Sequence, residues 1–214
     1  MESIEDYLNK TESAVKKIFE GIDEYLDILR ESRSPVFVSG TLEIDDWKKE
    51  HEKWARDHEE EIKASIDAQN RFVDESFAMS TLCSSMLQIA AMGIQKYSVN
   101  TEVPEAFTGL IRENAKPVKF CIGRFERDIP IGLIVYAGRN QFNHLDDDSL
   151  REPNLSIFEK LCAVESSTNK GVFYRDPAFD LTNENLISYA SNITGLLGWR
   201  TYENFYSDMR NMLI

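Results

Sequence analysis

Residues 129–144 read IPIGLIVYAGRNQFNH: an apolar run that passes without a break into an arginine, two asparagines and one of only three histidines in the chain. At helical spacing Ile131, Ile134, Val135, Gly138, Phe142 and Leu145 fall on one apolar stripe, and Pro130 suits the first turn. A second stripe, Leu133, Tyr136, Ala137, Asn140 and His144, starts apolar and ends polar. A helix apolar on both sides needs two partners. One is a helical bundle built by the rest of the chain, and the expected other is a second subunit.

The neighbouring patterns agree with an all-α class. Residues 3–31 open with Ser3 and, three positions on, Asp6, a variant of the capping box. Ile4, Tyr7, Leu8, Val15, Ile18, Phe19, Ile22, Tyr25, Leu26 and Leu29 then follow at spacings of three and four, which predicts one long amphipathic helix. SRSPVFVSGT (32–41) breaks it, and Thr41 offers an N-cap to a second helical arm. Residues 77–95 contain no charge and reach membrane-spanning length, yet Ser80, Thr81, Ser84, Ser85 and Gln88 fall inside them, so a buried central helix is expected and no membrane partner. Helical pieces are expected in VPEAFTGLIREN (103–114), VKFCIGRFERD (118–128) and 154–163. KGVFYRDPAFD (170–180) reads as an irregular or β insert, and Thr182 to about Met212 as one long final helix. The organisation expected is one domain over 1–214, with 1–60 a helical extension and 61–214 the bundle.

Composition narrows the function. The formal charge of −13 repels a polyanion, which argues against sequence-blind coating of nucleic acid and confines any nucleic-acid site to a local patch. The start, MESIEDYLNK, lacks a basic and apolar signal pattern, so a cytoplasmic location is expected. Cys83, Cys121 and Cys162 are odd in number and widely spaced, which predicts buried thiols rather than disulfides or a zinc site. His51 and His58 are seven residues apart, about 10 Å along a helix, too far to chelate one metal by themselves. Packing beside Trp47 and Trp54 is their expected role, and no metal or other cofactor is expected.

Arg139, Asn140 and His144 form the candidate site. Asn140 and His144 are one helical turn apart, whereas Arg139 and His144 differ by about 140° in projection. A two-fold interface closes that gap by setting Arg139 of one chain near His144 of its mate. An imidazole serves as acid or base near neutral pH, and a guanidinium binds phosphate. Arg124 and Arg127 are secondary candidates for phosphate contacts, and Tyr136 for stacking a base. The structural alternatives are a helix-capping histidine supported by Asp146, Asp147 and Asp148, an arginine paired with those carboxylates, solvated surface arginines, and a packed tyrosine.

Arg139-Asn140-Gln141-Phe142-Asn143-His144 resembles the motif of HEPN-domain proteins: an arginine, a polar residue, three variable residues and a histidine. The surrounding IPIGLIVYAGRNQFNHLDD is similar to one group of bacterial HEPN proteins. The resemblance implies a HEPN-like bundle and a homodimeric, metal-independent endoribonuclease of the toxin or phage-defence kind, with an antitoxin or another defence protein as partner. Its RNA would be cut by 2′-hydroxyl attack, leaving a 2′,3′-cyclic phosphate. His144 would act as acid or base, Arg139 would stabilise charge on the phosphate, and Asn140 would orient either. The other function expected from the same resemblance is a non-catalytic dimerisation or regulatory module.

Overall fold

In a computed structural model the chain is mostly helical, 63% helix and 6% strand, as the all-α expectation requires. The structure describes residues 3–31, 34–146, 150–166, 168 and 170–214, without the side chains of Leu29 and Glu31. Among them are helices α1 (Ile4–Glu31), α2 (Ile44–Asp57), α3 (Glu59–Tyr97), α4 (Ile131–Asn143), α5 (Asn154–Cys162), α6 (Ala190–Leu196) and α7 (Tyr202–Leu213). Two antiparallel hairpins join β1 (Phe125–Glu126) to β2 (Ile129–Pro130), and β3 (Ala163–Glu165) to β4 (Phe173–Arg175).

The chain divides into two compact units, Met1–Glu20 with Phe77–Ile214, and Gly21–Ser76. The division therefore falls inside α1 and α3.

In the first unit, the Ser3 hydroxyl accepts the Asp6 N–H at 3.1 Å, which caps α1 as its sequence implies. The helix then buries Tyr7, Leu8, Val15 and Phe19. The 77–97 part of α3 adds Cys83, Met86, Leu87, Ala90, Ala91 and Ile94, each 4% exposed or less. Its uncharged run is apolar and long enough to cross a membrane, but 56% of it is buried against this same chain. Thr81 and Ser85 on its outer side return their hydroxyls to the carbonyls of Phe77 and Thr81, so the helix satisfies them itself. Cys83 and Cys162 are buried free thiols, and Cys121 is a half-buried one.

Three helical expectations are corrected. Pro104 is extended (φ −58°, ψ 144°), and only Glu105–Phe107 makes a 3-10 turn before Thr108 bridges to Ile111. Asn114 in the left-handed region ends any continuation. Beyond a 3-10 turn at Lys116–Phe120, GRFERD is a hairpin, with Arg127 and Asp128 both at positive φ in its two-residue turn. The final helix splits into α6 and α7 because Gly198 takes φ 69°, and Thr201 caps α7 by accepting the Asn204 N–H. Residues 182–189 are not helical.

The second unit packs an aromatic ladder. Phe37 turns inward between the exposed Val36 and Val38 and meets the rings of Trp47, His51 and Trp54 at 5.1–5.7 Å. His51 stacks on Trp47, and His58 on Trp54, so both histidines pack beside tryptophans as expected. Thr41 is not the N-cap: Glu43 holds that position, and the Thr41 hydroxyl accepts the Glu43 N–H instead.

Candidate functional site

The hairpin β1–β2 delivers the chain into α4 and also closes its start. The Ile131 and Gly132 N–H groups, which a helix end leaves without internal partners, donate to the carbonyls of Arg124 and Ile122 at 2.9 and 3.1 Å. From there α4 is buried on both stripes. Ile131, Leu133, Ile134, Val135 and Ala137 are all fully buried, and a Cβ on Gly138 would overlap Ile193 of α6 and sit 3.1 Å from Leu87 of α3. The second stripe is covered within this chain, by Phe120 of the 116–120 turn against Tyr136 and by Asn154 of α5 against Asn140. Apolar cover therefore supplies no demand for a second subunit.

Arg139 is half-buried and held by two hydrogen bonds. Its Nε–H donates to the Gln88 carboxamide oxygen on α3 at 2.8 Å, and its Nη1 to the Asn140 side-chain oxygen at 3.1 Å. Asn140, 9% exposed, donates in turn to the Asn154 oxygen on α5 at 3.3 Å. This chain of amides ties α3, α4 and α5 together and orients the guanidinium. Two of its five N–H donors are used in these bonds.

Arg139 also lines a cavity of about 170 Å³ with Gln88, Ala91, Met92, Gln95, Lys116 and Phe120. The Gln95 carboxamide oxygen is buried without a hydrogen-bond partner. Two cations, two amides and an apolar floor therefore converge in one recess. Gln95, Gln88 and Lys116 had no site role in the sequence reading. The legible signal was the seven-residue spacing of Gln88 and Gln95, which puts both on one face of an otherwise uncharged helix.

His144 stands elsewhere, exposed at the C-cap of α4 with its N–H bonded to the Gln141 carbonyl. His144 is not among the residues that line the recess beside Arg139. Asp146 is exposed; Asp147 and Asp148 lie outside the described residues. Gln141, another amide without an assigned role in the sequence, bridges α4 to the chain before α6. It donates to the Ile187 carbonyl and accepts the Tyr189 N–H.

The secondary candidates are engaged inside the protein. Arg124 grips Asp208 with two nitrogens at 3.1 Å, pairs with Glu126 at 3.2 Å and reaches the Leu197 carbonyl, and Asp208 holds its guanidinium still more firmly protonated than usual. Arg127 pairs with Asp176 at 2.7 Å, donates to the Leu161 carbonyl and lies 4.9 Å over the Phe179 ring. Tyr136 packs on Phe120, ring centroids 4.9 Å apart. Both arginines pin loops to the bundle, and Tyr136 backs the wall of the cavity.

Among the described residues no group of three or more His, Cys, Asp or Glu side chains is arranged to hold a metal ion. No protein-family model matches the chain, and neither a curated protein nor a solved structure matches it. The residues of the site therefore carry the functional reading alone.

Proposed function

We propose that the chain is a HEPN-like, metal-independent endoribonuclease that acts as a cytoplasmic homodimer in a toxin or phage-defence setting, restrained or triggered by a partner protein. The observation that carries this reading is Arg139: a guanidinium oriented by Gln88 and Asn140, lining a recess beside Lys116, on the helix that ends in an exposed imidazole. Local cations answer the difficulty of the overall acidity, because 16 acidic and only 8 basic residues fall in the other unit, Gly21–Ser76.

In the proposed reaction, His144 of one copy takes the proton of a ribose 2′-hydroxyl whose phosphate rests on Arg139 of the other. The 2′-oxygen bonds to phosphorus, the bond to the 5′-oxygen breaks, and that oxygen takes up a proton, leaving a cyclic phosphate and a free 5′-hydroxyl. Asn140 acts as a positioning residue for Arg139.

The test is cleavage of total RNA by the purified chain in excess chelator. Wild type is expected to cut and His144→Ala to lose the activity while remaining dimeric by light scattering. Absence of cleavage by wild type under all conditions, including in cells, overturns the reading.

One observation favours a second reading. Because Arg139 and Asn140 already belong to the amide chain from Gln88 to Asn154, the motif also fits a non-catalytic HEPN-like module in which it only stabilises the bundle. Under that reading Asn140→Ala lowers stability and there is no activity for His144→Ala to remove.

A further inference from the structure

Residues 34–41 alternate without a break between exposed and half-buried positions, the period of an extended strand with one face packed. Phe37 seats that face on the rings of Trp47, His51 and Trp54. Both ends are pinned as well. The Ser34 and Ser65 hydroxyls are bonded at 2.6 Å, and the Ser39 hydroxyl donates to the Glu50 carboxylate at 2.7 Å. The segment is therefore held extended, yet it belongs to no sheet: among the described residues the backbone N–H and C=O groups of Val36, Phe37 and Val38 have no hydrogen-bond partner. Val36 and Val38 point away from the rings, 80% and 82% exposed, and no charged residue occurs from Ser34 to Leu42. Natural sheet edges are blunted by charge, by proline or by a covering element. Pro35 blunts the edge that it shares with Phe37, because it has no N–H to offer. The opposite edge, where Val36 and Val38 present their backbone groups, has no such protection.

We propose that the Val36–Val38 edge takes up an extended segment of a second, basic protein as an added strand. Pairing along this edge satisfies the free backbone groups, and the outward valines offer apolar cover to alternate side chains of the incoming strand. No ordering cost falls on this chain, since Phe37, Ser34 and Ser39 already fix the conformation. The charge of the partner follows from the surroundings. Gly21–Ser76 holds 16 acidic and 8 basic residues, and among the described residues Glu43 and Asp45, just past the strand, are in no ion pair. A second copy brings the same acidic excess to the seam, so charge favours a segment bearing lysine or arginine. The inference stands apart from the ribonuclease reading.

The experiment titrates the full chain with a short peptide that alternates valine and threonine between terminal lysines, and follows the backbone amides by NMR. Binding is expected to slow hydrogen exchange at Val36 and Val38 and to leave Phe37 unchanged. The same peptide with terminal glutamates is expected to bind about tenfold more weakly at low salt, and the lysine peptide with its backbone nitrogens methylated not at all. Val38→Pro should lose binding and Val38→Thr keep it, with the fluorescence of Trp47 and Trp54 unchanged in both, which reports an intact aromatic ladder. No binding of the lysine peptide, equal binding of the glutamate peptide, or protection at Phe37 in place of the valines overturns the proposal. So does a wild-type dimer that Val36→Asp dissociates in light scattering, because a second copy then occupies the edge. A chain that binds the lysine peptide but cuts no RNA keeps this edge and loses the ribonuclease reading.

Discussion

The Nε–H of Arg139 meets the Gln88 carboxamide oxygen at 2.8 Å, joining α4 to α3 at the edge of a recess that Lys116 also lines. Because Gln88 is neutral, it aims the guanidinium without cancelling its charge. Gln88→Glu is expected to raise stability slightly and to abolish phosphate binding, since a carboxylate pairs with Arg139 and repels an anion. Gln88→Leu is expected to cost about 1–3 kcal/mol by leaving a charged donor unpaired. Urea midpoints and phosphate titrations read the two effects separately, and a Glu variant that binds phosphate normally removes Arg139 from the site.

Gly138 of α4 faces Leu87 of α3 and Ile193 of α6, with no room for a methyl group between them. Gly138→Ala gains in helix propensity, but overpacking should dominate and lower stability by about 1–3 kcal/mol. Trimming the obstacle restores the fit, so Gly138→Ala with Ile193→Val should be more stable than Gly138→Ala alone. Additive losses in chemical denaturation would show that the two residues do not meet.

Asp128 occupies the second turn position of the β1–β2 hairpin at φ 60°, where glycine is the favoured residue. Asp128→Gly should relieve about 1 kcal/mol of backbone strain and raise the melting temperature by about 2–4 °C. A lower melting temperature by calorimetry would contradict the turn geometry.

Tyr7 is buried with its hydroxyl donating to the Ile89 carbonyl at 2.5 Å, and burial pushes its ionisation up to about 12. In the unfolded chain a tyrosine ionises near 10. The folded state therefore holds this proton more tightly, so the stabilisation is complete below about pH 10 and is lost as pH rises toward 12. Tyr7→Phe should be less stable at neutral pH, through its lost hydrogen bond, yet fall less steeply across that alkaline window. Parallel pH profiles for the two proteins would show that Tyr7 does not contribute the alkaline loss.

Sequence by itself determined the helices whose information is local. Ser3 and Asp6 cap α1, the alternation of apolar and polar residues marks its buried face, and the uncharged run of α3 reads as a core helix because its serines and glutamines need partners near at hand. Tertiary structure decided what depends on residues far apart in the chain. Pro104, Arg127, Asp128 and Gly198 each turn an apparently helical pattern aside, and nothing in a 3.6-residue period registers the left-handed backbone taken by the last three. The site shows the same division. Arg139, Asn140 and His144 stand out in the sequence as polar residues on an apolar helix. That Arg139 joins Gln88 and Gln95, while Arg124 and Arg127 are tied to Asp208 and Asp176, follows from contacts spanning roughly 45 to 85 positions, because hydrogen bonding and burial act through space and a linear pattern records only neighbours.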